Sequence, residues 1–266
     1  MSTDRSRSQL LFESIFTIGS NRPFQQIRKD AYQNTAISQQ QAHALHLCLR
    51  SEACDLYFKA LVSFSEAYTR LSHQSYTWPT IELYYSVFYA TKAFLCVYDF
   101  ALLRAERRLF YIKAQPNEKF TKCNSTTDHK AVFEIHNRIF PNDYLLSNHI
   151  DGKSAYDWLM DKREDVNYRD RVFREPEAPE FWETIEQELS LGTIEQIVDK
   201  LATDAQGLYC FQPDYAVLSI PIKRIENTVN AMRNVGICNV LTQAQQDYLN
   251  QIMDGFPSSI KIKFLL

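Results

Sequence analysis

The chain has 266 residues and a mass of 31.1 kDa, enough for one large domain or two small ones with a buried core. Its 45% hydrophobic and 23% charged residues are ordinary for a globular protein, and only 6 glycines, far below the usual share of about 7%, exclude Gly-rich phosphate-cradling loops and a fold of many short hairpins. A net charge of -3 with a pI near 6.1 leaves no global field that would draw in nucleic acid.

Residues 1–35 are polar, with Phe12, Ile15, Phe16 and Ile18 as the local apolar cluster, and read as an N-terminal arm whose short helix docks on the body. From Ile37 to Leu71 the pattern turns helical. Leu45, Leu49, Ala53, Leu56, Ala60, Phe64, Ala67 and Leu71 recur at steps of three and four, which lays one apolar stripe along a long helix. Ser72 to Trp78 is a polar connection, and Pro79 suits the first turn of a second helix expected to run to about Arg107. Between Ile81 and Val97 that helix is apolar nearly all round, as a central helix is.

Arg108 to Ala114 reads as a short strand, followed by a polar loop. A third helix begins among Ser125 to Asp128, carries Val132, Ile135 and Ile139, and stops before Pro141. A fourth covers about Ser154 to Phe173. Residues 174–204 hold nine acidic residues against two basic ones, and Phe181, Ile185, Leu189, Ile194, Ile197 and Leu201 predict a fifth helix broken at Gly192. Beyond Gln206, alternation predicts strands at Tyr215 to Lys223 and at Ser259 to Phe264, with helices at about 221–235 and 242–253 between them. The fold class is therefore expected to be mainly α: a bundle over 36–205 with a small α+β C-terminal extension over 206–266.

No apolar run approaches the roughly 20 residues that span a bilayer, and no apolar core follows the polar start MSTDRSRSQL. A cytoplasmic protein without membrane contact is expected. The cysteines at 48, 54, 96, 123, 210 and 238 form no CxxC pair and read as reduced, mostly buried thiols.

Four segments carry a resemblance to a known family. They are Tyr57-x-Lys59-Ala60 on the long helix and Tyr84-Tyr85-Ser86-Val87-Phe88-Tyr89-Ala90-Thr91-Lys92-Ala93-Phe94-Leu95 on the second. His129-Lys130-Ala131-Val132 opens the third helix, and Arg163-Glu164-Asp165-Val166-Asn167-Tyr168-Arg169 lies in the fourth. Over about residues 45–175 this order resembles the HEPN superfamily of prokaryotic defence and toxin–antitoxin loci, in the branch with a YY helix, an H-x-x-V helix and an R-x-x-x-D-Y-like segment. A fainter similarity is to YaaC-like bacterial proteins. The resemblance implies a HEPN-like up-and-down bundle that dimerises through helix faces, with no cofactor.

Catalytic members of that superfamily are metal-independent RNases with Arg, about four to six residues, then His, so that an acid–base group stands beside a cation that stabilises the phosphate. None of His43, His46, His73, His129, His136 and His149 lies at that distance after an arginine. Arg233-Asn234 begins like the motif, but Cys238, Asn239 and Val240 stand where the histidine belongs. The resemblance therefore implies a non-catalytic or atypical HEPN-like protein. It would act in a defence or toxin–antitoxin complex, as a homodimer or with a partner protein, through protein–protein and RNA contacts. The alternative is an atypical RNase or nucleotide-modifying enzyme with a cleft around Arg163 and His129.

Three groups of residues are candidates for chemistry. Arg163, Asn167 and Arg169 form a ligand-binding set, with Arg163 and Asn167 on one helix face at i and i+4. His129, Arg163 and Tyr168 are the catalytic candidates. The plainer reading is that Arg163 locks the bundle and His129 caps its helix. Arg104, Arg107, Arg108 and Lys113, with Lys119 and Lys122, interleave with Tyr98, Phe110 and Tyr111 in the manner of a nucleic-acid surface, or of arginine stems lying on hydrophobic neighbours. His43 and His46 stand at i and i+3 near Cys48, but no second pair follows and no metal site is expected; Cys123 reads as incidental. The acid-rich 174–204 reads as a solvated helix face, or as a dock for a basic chain.

Overall fold

A computed structural model describes residues 6–16, 29–169, 175–237 and 241–265. The chain divides into two compact units. The first comprises Met1–Leu56 and Thr91–Pro141, and the second Tyr57–Ala90 and Asn142–Leu266.

In the first unit, helix α1 (Arg7–Ile15) is capped by the Ser6 side chain, which accepts from the Gln9 amide. The Glu52 carboxylate accepts from the Ser8 amide and hydroxyl at 3.2 and 2.8 Å, setting an acidic group at the helix start. Helix α2 (Lys29–Gln33) follows, then the first part of α3 (Gln39–Leu71). The unit also takes the end of α4 (Thr77–Val97) and α5 (Asp128–Ile139). An antiparallel sheet of β1 (Phe100–Ala105), β2 (Arg108–Lys113) and β3 (Thr121–Lys122) runs in that order. Ala101, Leu103, Ala105, Phe110 and Ile112 share its buried face. The open edge of β1 is closed by Gln9, whose amide accepts from Arg104 N at 2.8 Å and donates to Arg104 O at 3.0 Å, as a strand would.

Helix α4 ends at Val97, well short of Arg107, and the residues beyond form β1. Asp99 adopts a left-handed φ of +67° and its amide closes back on Cys96 O, a helix-ending geometry. Its carboxylate also takes the imidazole of His46 at 2.6 Å. The strand expected over Arg108 to Ala114 is present as β2.

In the second unit, the remaining parts of α3 and α4 join α6 (Ala155–Glu164), α7 (Glu183–Leu191), α8 (Ile194–Thr203), α9 (Pro213–Asn234), α10 (Gln243–Ile252) and α11 (Ser258–Phe264). The expected break at Gly192 separates α7 from α8, and a Thr193/Gln196 capping box restarts the helix. Helix α6 continues into a π-helical turn, Asp165–Arg169; residues 170–173, also expected in this helix, lie outside the described ones.

Both strands expected in the C-terminal extension are helical instead. Every residue from Ala216 to Ile222 is buried, so the apolar run that opens α9 carries no helical period, although Ile225, Val229 and Met232 further on recur at steps of three and four. In α11, Ile260 and Phe264 are buried one turn apart while Ile262 is 75% exposed, the opposite of strand alternation. Among the described residues of 206–266 there is no strand, and the sheet lies within 36–205, where one strand, over Arg108 to Ala114, is expected.

Buried polar contacts fix the packing of this unit. The Trp182 indole donates to Thr80 Oγ1 at 2.8 Å, and the Tyr57 hydroxyl to Phe264 O at 2.6 Å. Arg224, fully buried on α9, pairs with Asp143 at 2.8 Å and donates to the Tyr156 hydroxyl at 3.2 Å. Buried charge is tolerated only when paired in this way. Among the described residues no helix is long and apolar enough to cross a membrane.

Candidate functional site

Within the second unit, α4 buries most of its surface and leaves one line of partly exposed side chains, Trp78, Glu82, Tyr85 and Tyr89, at steps of four, three and four. Arg163 from α6 lies against this line. Its guanidinium carbon is 5.1 Å from the ring centre of Tyr84, 5.9 Å from Tyr85 and 5.4 Å from Tyr168. On the far side Tyr85 stacks with Tyr89 at 5.9 Å, and the exposed Lys59 ammonium of α3 stands 5.9 Å from the Tyr89 ring. The sequence Tyr168, Arg163, Tyr85, Tyr89, Lys59 is thus a ladder alternating rings and cations. Arg70 pairs with Glu82 at 2.9 Å beside it.

The π-turn makes the Arg163–Tyr168 contact. Residues five apart do not face each other on an α-helix, but a turn closing i to i+5 brings them into line. The Tyr168 hydroxyl, on a side chain 69% exposed, accepts from Arg163 at 3.4 Å. Arg163 Nε is buried without a hydrogen-bond partner among the described residues, and all the described partners of this side chain are tyrosines. A buried donor left unpaired costs about 1–3 kcal/mol. Burial pushes the Tyr84 phenol up, and Arg163 partly offsets it, so this ring is neutral.

The other predicted residues make different contacts. Asn167 is half-buried, and the α-helical spacing that set it beside Arg163 gives way to the π-turn. Arg169 is engaged by Asp165 at 2.5 Å and Glu164 at 3.7 Å. His129 belongs to the first unit, half-buried in the first turn of α5, whose N-cap is Thr127. On the β1–β2 hairpin, Arg104 pairs with Asp128 and the Lys113 ammonium lies 5.7 Å from the Phe100 ring. Arg107 and Arg108 are exposed at its tip, with Glu106 in the turn at a φ of +52°.

Among the described residues no group of three or more His, Cys, Asp or Glu side chains is placed to hold a metal, and His46 is committed to Asp99. The described cysteines are free thiols. Burial pushes Cys54 and Cys210 up to about 11 and Cys123 up to about 12, and raises Cys48 and Cys96 as well, so nucleophilic thiolate is scarce at neutral pH. Cys238, with Asn239 and Val240, lies outside the described residues.

Sequence reasoning named Arg163 and Tyr168 but missed that Tyr84, Tyr85, Tyr89 and Lys59 complete the face. The signal was present in the YY doublet and Tyr57-x-Lys59, which mark the resemblance. Comparison with family models, curated proteins and solved structures returns no match to this chain.

Proposed function

We propose that this protein is a HEPN-like binding subunit of a bacterial defence or toxin–antitoxin complex, and that it works by holding single-stranded RNA on the Arg163–tyrosine face and a partner protein, without cleaving. The observation that supports this reading is the ring–cation ladder itself, with its outer members Tyr168 and Lys59 exposed. Planar bases stack on tyrosines whatever their sequence, and guanidinium and ammonium groups take the phosphates between them. The association with defence rests on the resemblance alone.

The test is fluorescence anisotropy of a short single-stranded RNA, with the same RNA run on a gel for cleavage. Wild-type protein should bind without cutting. Arg163→Ala and Tyr168→Ala should each weaken binding about tenfold, since one base stacked on an aromatic ring is worth about 1–3 kcal/mol. His129→Ala should bind as wild type. RNA held equally by wild type and Arg163→Ala, or no RNA binding at all, sinks the reading. The second reading, an atypical RNase, is favoured by the π-turn, a distortion frequent at functional sites. Cleavage lost in folded Arg163→Ala and His129→Ala proteins would establish it.

A further inference from the structure

A second feature of the same unit is independent of that face. Trp158 and Lys162, one turn apart on α6, point to the side of the helix that the π-turn continues with Asp165, Val166 and Arg169. Phe181, from the short turn before α7, meets Trp158 edge to face at 6.2 Å. Together they wall a cavity of about 510 Å³, closed by Asp151, Glu180 and by Asp214 at the start of α9.

The cavity already contains a cation. The Lys162 ammonium stands 5.2 Å from the Trp158 ring and 5.1 Å from the Phe181 ring, and it has no ion-pair partner among the described residues. The charges around it are mostly negative. Asp151 accepts from the Trp158 indole at 3.0 Å, and Asp165 is satisfied by Arg169. Glu180 and Asp214 are exposed and have no described ion-pair partner. Two rings, two open carboxylates and a neighbouring segment with nine acidic residues against two basic ones favour a positive guest over an anion.

We infer that this cavity is a recognition site for a primary ammonium group, with Lys162 as the internal cation that an incoming ligand displaces. The ammonium is that of a lysine side chain on a basic peptide or of a free polyamine, which share the same chemistry. The aromatic pair supplies the cation–π faces, and Glu180 and Asp214 supply the counter-charge at the mouth.

The sign of one substitution decides the matter. The probes are spermidine, a neutral-flanked peptide with a single lysine, and inorganic phosphate. Each is titrated at low salt into the full chain, followed by the Trp158 indole N–H resonance, which Trp158→Phe identifies. Spermidine or the peptide should shift that resonance, and whichever binds more tightly names the source. Removing the competing internal cation in Lys162→Met should tighten binding about two- to fivefold, the size of one exposed cation–π contact. Glu180→Gln with Asp214→Asn should weaken it about tenfold. Lys162→Gln, read alongside thermal melting, guards against a folding defect in the first variant. Binding that weakens or is unchanged without Lys162, phosphate binding that depends on Lys162, or no response to either ammonium overturns the inference.

Discussion

The Glu175 carboxylate acts as a cap supplied from a distant part of the chain. It accepts from the Thr77 amide at 2.7 Å, the Thr77 hydroxyl at 2.9 Å and the Tyr76 amide at 3.3 Å, so it holds the open N–H groups at the start of α4. Burial alone would push its acidity toward the neutral form, but the hydrogen bonds from Thr77 and Tyr76 outweigh burial and hold it below its usual value of 4.5. Glu188, bonded by Lys200 and Tyr215, and Glu134, bonded by Asn124 and Ser125, are lowered against the same burial cost. A carboxyl with a depressed folded pKa stabilises the fold fully above its unfolded value and loses that contribution as pH falls through the folded one. Urea unfolding should therefore show stability falling as the solution is taken below about pH 4.5. Glu82, whose acidity burial weakens despite Arg70, opposes this trend by favouring the protonated fold. Glu175→Gln should cost about 1 kcal/mol at pH 7, as losing a helix cap does, and should flatten the acid limb. An acid limb as steep as wild type would show that Glu175 does not contribute to it.

Elements reach their places through local geometry of the same kind. Gly207, ahead of the turn Leu208–Phe211 that leads into α9, has a φ of +65°, and a Cβ there would lie 2.7 Å from a ring carbon of Tyr144. Gly207→Ala should cost about 1–2 kcal/mol in left-handed strain, plus the displacement of Tyr144. Gly152→Ala, at a φ of +75° with nothing within 4 Å, should carry the strain alone. Denaturant midpoints of the two variants check this, and equal losses would show that Tyr144 moves freely. The sequence was readable where period and punctuation agreed, as in α3, in α5 and at the Gly192 break. It misled where burial ran right round the helix, over 216–222 of α9, and where three residues alternated by coincidence, in α11. The ladder was half legible. Arg163 and Tyr168 stood out, but an α-helical reading set Asn167 beside Arg163, and nothing in the local sequence announces a turn that closes five residues on. The Trp158–Phe181 cavity depends on contact across the chain and left no mark in either segment.

At the scale of the molecule, neither unit is a continuous stretch of chain. The division falls between Leu56 and Tyr57, inside α3, and between Ala90 and Thr91, inside α4. Residues 57–90 carry Tyr57, Tyr68, Thr80 and Tyr84, whose contacts are Phe264, Phe256, Trp182 and Arg163, all supplied by the last half of the chain. A fragment ending at residue 141 should therefore expose an apolar surface and aggregate, and the complementary 142–266 fragment, coexpressed, should rescue it. Near-ultraviolet circular dichroism of the first fragment alone tests this: a native-like aromatic spectrum would mean that 57–90 needs no partner. The same interleaving sets a timetable for synthesis. Phe12 of α1 packs on Phe120, and Tyr32 stacks on the same ring at 4.5 Å. At about 5–20 residues per second, the first helix leaves the ribosome several seconds before the ring it rests on. Through that interval the N-terminal aromatic residues are open to any holdase, and to any neighbouring nascent chain, that reaches them first.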